Sequence, residues 1–398
     1  MGGLSISRER PTVYITRLRL KNWRNFRAVD ISLREVAYII GPNASGKSNL
    51  LDSLRFLKDV AKADGGGVQR ALSTRGGVSR VRCLHARKDP EVRIEIEVAY
   101  ELDQTAPTWV YILGLRNEGK GAHRSLISSE IVKKDGRTIV SRPDDDDSRD
   151  PARLTQTSLE QIQANGRFRE LAEFLADISF VHLVPQLLKY SDQIGGNRIE
   201  DDPFGQGFLE RVARETARTR NSRLKRIEGA LKIAVPQFSD LRFNQDLVTG
   251  RPHLEARYEH YRPNAGWQRE DSFSDGTLRL IALLWSLQAG DSVLLMEEPE
   301  LSLNDSIVRE IPVLLSRVRP SKRRQRQIFV TTHSEALLAN EGIDSRHVVL
   351  LEVEAEGTTA RLANEAEQVQ LDAGFSPAEV LLSKAKAPLV GIVPLWAD

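Results

Sequence analysis

GPNASGKSNL, residues 41–50, governs how the rest of the chain is read. Its spacing is Gly-x-x-x-x-Gly-Lys-Ser. In such a loop Gly41 and Gly46 let the backbone wrap close to anionic oxygens, Lys47 reaches the terminal phosphates of a nucleotide, and Ser48 places its hydroxyl on a magnesium ion. The apolar run VAYII at residues 36–40 leads straight into the loop, and Leu51, Leu54 and Leu57 follow it at helical spacing. The loop therefore stands where a strand becomes a helix, the context the motif needs. Asn43, Ala44, Ser45 and Asn49 complete the candidate nucleotide-binding stretch. Kinases, GTPases, helicase motors and ATPases that close as pairs all use loops of this kind, and the loop alone does not choose among them.

Two later strand ends narrow the choice. VLLMEEPE, residues 293–300, ends an apolar strand at Met296 and then presents Glu297, Glu298 and Glu300. Ionised groups leaving a buried strand need a cation or partners to offset lost hydration, so a metal and water site is the functional reading and a surface acidic turn the plain one. Glu297 is assigned to magnesium together with Ser48, and Glu298 to orienting or activating the attacking water. QIFVTTHSEALL, residues 327–338, places His333 at another strand end, where it can sense or stabilise charge near the terminal phosphate, with Glu298 the better candidate for the base.

Composition sets wider bounds. With 398 residues and 40% hydrophobic content the chain can bury a sizeable core as one large domain with an insertion, or as two compact domains. The 57 basic and 55 acidic side chains leave a formal charge of +2, which is nearly silent about nucleic acid. The single cysteine, Cys83, excludes an internal disulfide and a cysteine metal cluster, and fits a reducing, cytoplasmic setting. No apolar run approaches the length of a membrane span, so a membrane partner is not expected.

Along the chain, strands are expected near residues 13–20, 28–33 and 36–40, and further strands at 92–100, 109–115 and 126–133 form an antiparallel lobe. Residues 141–153, with four consecutive aspartates at 144–147, read as a mobile acidic loop. Helical stretches are expected at 157–177 and 208–234, the latter interrupted only by Gly229, and a polar, proline-containing segment at 252–268. From residue 276 helices and short apolar strands alternate, as in a mostly parallel sheet with helices on its faces. The expected division is an N-terminal head part at 1–84, an inserted antiparallel and helical lobe at 85–270, a C-terminal head part at 271–372 and a tail at 373–398.

Taken in order, ITRLRLKNWRNF at 15–26, the glycine-rich loop, DSFSDGTLRLIALLWSL at 271–287, VLLMEEPE and TTHS resemble the ABC-type ATPase heads of the SMC, Rad50, RecF and OLD-like proteins, in particular compact stand-alone heads associated with prokaryotic defence. The resemblance covers the first 60 or so residues and the stretch from Asp271 to Leu338. It implies an α/β P-loop NTPase fold with an ABC-ATPase head, a mixed sheet flanked by helices, and an inserted α+β lobe. It also implies ATP and Mg2+ as cofactors, ATP hydrolysis, and a homodimer or higher homo-oligomer in which Ser274, Asp275 and Gly276 form a signature loop serving the partner's nucleotide. Asp275 and Glu297 depart from the commoner glycine and aspartate. Leu303 and Asn304 fall where the loop coupling the two sites is expected, and Gln186 is the candidate for the connecting glutamine. The stretch after His333 is too short for the Toprim nuclease domain of OLD nucleases, so a separately encoded effector is expected.

Two basic segments are candidate DNA or partner contacts: Arg218, Arg223 and Arg226 on the expected helix, and Lys322, Arg323, Arg324 and Arg326 between a helix and a strand. A solvated helix face and a soluble connection are their plainer readings. The leading functional expectation is an ATP-driven dimeric switch in DNA-linked antiphage defence or DNA repair. A regulatory scaffold that controls a protein effector without touching DNA is the alternative.

Overall fold

The computed structural model describes residues 12–86, 89–118, 124–191, 194, 201–259, 266–317, 326–382 and 384. The strands are β1 (Tyr14–Trp23), β2 (Phe26–Ser32), β3 (Val36–Ile40), β4 (Val92–Ala99), β5 (Trp109–Asn117), β6 (Ser125–Lys134), β7 (Arg137–Arg142), β8 (Ser179–Val181), β9 (Phe238–Gln245), β10 (Pro252–Tyr258), β11 (Gln268–Arg269), β12 (Leu294–Glu297), β13 (Ile328–Thr332), β14 (Val348–Glu354) and β15 (Gly357–Arg361).

One six-stranded sheet runs in the order β15-β14-β3-β13-β12-β8, and every pair in it is parallel except the edge hairpin of β14 with β15. Its strand β3 is apolar throughout, and β12 and β13 are apolar up to Glu297 and Thr331 at their carboxyl ends, because both faces are covered. Ala37, Ile39, Leu295, Phe329, Val349 and Leu351 point into one core, shared with the helix Lys47–Ala61 and the antiparallel strands. Val36, Tyr38, Ile40, Leu294, Met296, Val330 and Leu350 point into a second core with the helix Asp275–Gln288. The alternation follows from the two-residue period of a strand, and it makes this sheet the wall between two hydrophobic cores.

A second six-stranded sheet, β2-β1-β4-β5-β6-β7, is antiparallel throughout. β4 pairs with β1 from Tyr14↔Ala99 to Lys21↔Arg93, so the expected boundary at residue 85 cuts through a continuous sheet. The inserted material is thereby divided. Strands β4–β7 extend the N-terminal sheet, while the helices Phe208–Arg214 and Ala217–Ala234, with the three-stranded sheet β11-β10-β9, pack on the second core as the inserted α+β lobe.

Other local expectations change as well. The run 144–147 is not a mobile loop: Asp144 caps the helix Asp145–Arg149 in a reciprocal capping box, and Asp147 is buried against Arg142, with Arg142 Nη2 donating to Oδ1 at 2.8 Å. The stretch 208–234 breaks at Thr216, whose hydroxyl accepts from the Thr219 amide and starts a new helix, whereas Gly229 lies inside that helix without interrupting it. Within 157–177 the α-helix is confined to Arg169–Ala176. Pro252 opens β10, a first-residue position where its missing N–H costs little. No helix among the described residues is long and apolar enough to cross a membrane.

Candidate nucleotide and cation site

Strand β3 ends at Ile40 and the helix Lys47–Ala61 begins six residues beyond Gly41, so the loop between them turns tightly around its own backbone. Ala44 and Gly46 have left-handed φ values of 64° and 97°. At Gly46 a Cβ would lie within 2.3–2.7 Å of the Asn25 amide, and at Gly41 within 3.0 Å of the Leu351 carbonyl, so both glycines are required by space. The helix takes Gly46 as its N-cap with no side-chain cap, unlike the helices begun by Ser274, Ser334 and Asp144. Its first amides are left for an anion, and the helix dipole favours one. Buried Leu50, Leu51, Leu54 and Leu57 hold the helix in place, each contributing about 1.5–3 kcal/mol by burial.

Sequence reasoning missed Asn25. Its Nδ2 donates to Ser45 O and Thr358 Oγ1, both at 2.7 Å, and its Oδ1 accepts from Asn49 Nδ2 at 2.8 Å. Trp23 Nε1 adds a bond to Asn49 O at 2.8 Å. The short turn between β1 and β2 thus buttresses the phosphate loop from behind, a tertiary contact for which the NWRN stretch carries no local signal.

Lys47 is buried, and its ammonium donates to Gly41 O at 3.0 Å and Pro42 O at 3.2 Å. Burial lowers its pKa, opposed by Glu298, Glu300 and Glu297. The parallel register carries the acidic strand end to the loop, and the Ser48 hydroxyl donates to Glu297 Oε1. Glu298 sits in the left-handed region at φ 44°. Its N–H donates to Thr331 O at 3.0 Å and its carbonyl accepts from buried Arg279 at 2.8 Å, so neighbouring structure enforces an uncommon backbone shape. Its carboxylate meets His333 Nδ1 at 3.2 Å. Glu300 is buried, accepts from Thr332 Oγ1 at 2.6 Å and His333 N at 3.2 Å, and has its pKa raised by burial. Lys47, Ser48, Glu297, Glu298 and His333 are therefore gathered at the carboxyl ends of β3, β12 and β13, where parallel sheets place their ligands.

The carboxyl end of β8 supplies a residue the sequence did not single out. β8 pairs with β12 at Met296↔Val181, so His182 and Glu297 are the next neighbours, and His182 Nδ1 stands 3.7 Å from Glu297 Oε2. That nitrogen is shielded from solvent and has no hydrogen-bond partner among the described residues. Gln186, expected as the connecting glutamine, lies on the helix Pro185–Lys189 and donates to Asp275 Oδ2 at 3.3 Å. Histidine inside an apolar strand offers no reason to single it out until the β8–β12 pairing is known.

Signature residue Ser274 caps its helix by accepting from Thr277 N at 3.1 Å, and Asp275 is held by Gln186 and by Lys189 at 2.7 Å. A Cβ on Gly276 would lie 2.8 Å from Ser302 O and 3.3 Å from Leu303 Cδ2, so this loop rests on the loop that follows the acidic pair. Asn304 Oδ1 accepts from Ile307 N at 3.0 Å and so caps the helix Asp305–Arg317.

Among the basic candidates, Arg326 is removed from any surface role. It is buried, its guanidinium donates to the carbonyls of Ser292 at 2.6 Å, Ser286 at 2.8 Å and Ala289, and burial lowers its pKa to about 10. Lys322, Arg323 and Arg324 lie outside the described residues. Arg223 is drawn to Glu215 at 2.7 Å and lies 5.3 Å from the Trp285 ring, whereas Arg218 and Arg226 are exposed.

Residues 36–339, from the strand before the loop to beyond His333, match the family described as "AAA domain, putative AbiEii toxin, Type IV TA system". The chain belongs to this AAA family. Membership supports ATP binding and hydrolysis as its general activity. This AAA chain is 32% identical over 95 residues to the DNA replication and repair protein RecF of Roseiflexus castenholzii, which covers 22% of the chain and 24% of that protein. Against RecF of Yersinia enterocolitica it is 28% identical over 132 residues, covering 32% and 34%. The matches thus span about a quarter to a third of those relatives. In fold it is similar to an Smc head bound to the C-winged helix domain of ScpA, with a TM-score of 0.55 at 16% identity over 89% of this chain and 99% of that one. An Smc head with an extended coiled coil from Pyrococcus furiosus, bound to the C-terminal domain of ScpA, gives 0.51 at 13% identity over 91% and 99%.

Proposed function

We propose that this AAA chain is an ATP-dependent dimeric switch acting in DNA-linked antiphage defence or DNA repair, and that it controls a separately encoded effector such as a nuclease. The observation that carries the reading is the convergence of Ser48 with Glu297 and of Glu298 with His333 at adjoining strand ends, beside a helix start without a side-chain cap. Lys47 and the loop amides bind the β- and γ-phosphates, and Glu298, aligned by His333, orients water for attack. The donor set fits a divalent cation, since the Ser48 hydroxyl and Glu297 carboxylate face each other and His182 leaves an unsatisfied nitrogen beside them. Ser48 and Glu297 would hold Mg2+, which supplies charge neutralisation on the phosphates when bound.

Ser274 is exposed and Asp275 and Gly276 half-buried at a capped helix start, where a loop serving a second copy would lie. Similarity to the DNA replication and repair protein RecF supports the DNA-linked part of the reading, with exposed Arg218 and Arg226 as the remaining described candidates for contact. The test is size analysis of Glu298→Gln with ATP and Mg2+. A stable dimer is expected; a monomer at concentrations where nucleotide is bound sinks the closure reading. Filter binding at low and physiological salt separates direct DNA contact from a scaffold ATPase that binds only a protein effector.

A further inference from the structure

An orphaned histidine nitrogen stands at the end of β8, beside the candidate cation pair. Three donors of different chemistry meet there. Ser48 offers a hydroxyl and Glu297 a carboxylate, joined at Oε1, while His182 offers an imidazole nitrogen 3.7 Å from Oε2 on the carboxylate's other side. Hydroxyl and carboxylate oxygens suit Mg2+, whereas imidazole suits transition metals.

His182 is held in this place by the fold. Its backbone N–H donates to Pro203 O at 2.8 Å, its ring packs edge-on against Phe204 with centroids 6.0 Å apart at 84°, and the parallel register sets it beside Glu297. A histidine kept there only for packing would be expected to satisfy its shielded nitrogen, because a buried polar atom without a partner forfeits its hydration and gains nothing in exchange. Here Nδ1 has none among the described residues. No group of three or more His, Cys, Asp or Glu side chains that could hold a metal occurs among the described residues, so the protein donors alone do not make a closed cage. A site completed by phosphate oxygens and water does not need one.

We infer that His182 contributes an imidazole nitrogen to the cation that accompanies the nucleotide, and that this biases the site toward a transition-metal ion such as Mn2+ or Co2+ over Mg2+. The inference rests on the reading of residues 41–48 as an ATP site and deepens it by naming the class of cation. Ser48 and Glu297 bind either ion; His182 discriminates between them.

The experiment uses the full chain with β,γ-methylene-ATP and Mn2+, read by pulsed electron paramagnetic resonance for nitrogen coupled to the metal. Binding of trinitrophenyl-ATP in EDTA is measured in parallel. Wild-type protein is expected to show a histidine nitrogen signal that changes isotope pattern in protein grown with 15N-histidine, which requires no variant. In His182→Gln the signal disappears, and the ratio of Mn2+ to Mg2+ affinity, measured by competition, falls about tenfold while metal-free nucleotide binding stays. A wild-type complex that binds nucleotide and Mn2+ without a histidine nitrogen signal overturns the inference, as does a His182→Gln variant with unchanged signal and ratio. Wild-type protein that binds no nucleotide in either assay overturns the ATP reading itself, and this inference with it.

Discussion

Residues 144–147 and 297–300 are both short carboxylate-rich runs, yet the fold treats them in opposite ways. In the first, Asp147 is buried and matched by Arg142, which also reaches buried Glu130 at 3.2 Å, and Glu130 accepts from the amides of Ser158 at 2.7 Å and Leu159 at 3.0 Å. Asp144 caps a helix. In the second, Glu297, Glu298 and Glu300 meet hydroxyls, imidazoles and the backbone amide of His333, and no guanidinium is bonded to any of their carboxylates among the described residues. The contrast gives a criterion. A carboxylate run whose charge is met by arginine is structure, and one gathered around neutral donors beside a lysine and a phosphate loop is a candidate place for a cation and water.

Substitutions can break that contrast. The largest effect is expected from Glu298→Gln, which should lower ATP turnover by about 10²–10⁴-fold in a phosphate-release assay with little change in melting temperature. A structural role like that of Asp147 would give the reverse pattern. Arg142→Ala leaves buried Glu130 without its cation and Asp147 with only Arg153 at 3.4 Å, and should cost about 3–5 kcal/mol in denaturant unfolding while nucleotide binding by the folded fraction is kept. Asp144→Ala removes only a cap and should cost about 1 kcal/mol by the same measurement.

The smallest effect sharpens the second run. Burial raises the Glu300 pKa in the folded state, so ionising it opposes folding at pH values above the folded pKa. Glu300→Gln keeps an acceptor for Thr332 and removes that charge. Its melting temperature should therefore exceed the wild type by about 1 °C near pH 8. The gain should fade as pH drops toward 4.5, the ordinary value for the carboxyl, below which the wild-type side chain is protonated whether folded or not. A gain that grows on acidification would contradict this assignment.

Much of the site was readable because each part carries its own local signal. Glycines fix a loop, apolar runs fix strands, and Glu297, Glu298 and His333 stand where those runs end. The parallel alternation after residue 276 likewise announced the sheet. What could not be read depends on pairing between distant segments. Nothing in Asn25 says that it will brace Ser45, and nothing in FVHL says that β8 lies beside β12 and delivers His182 to Glu297. Arg326 shows the same limit from the other side, since a basic run looks solvated until carbonyls at Ser286, Ala289 and Ser292 are found around one of its members. Antiparallel texture suggested the boundary at residue 85, since it marks a change of strand direction, while β4 remains hydrogen-bonded to β1 across it.

The helix Asp275–Gln288 is attached to the acidic strand end at two points, through Arg279 on the Glu298 carbonyl and through Gly276 against the Ser302 carbonyl. In the closed pair proposed above, the tip of this helix would press on the neighbour's phosphate while its flank stays fastened to Glu298 of its own chain, so that a strain at one site would be carried to the other.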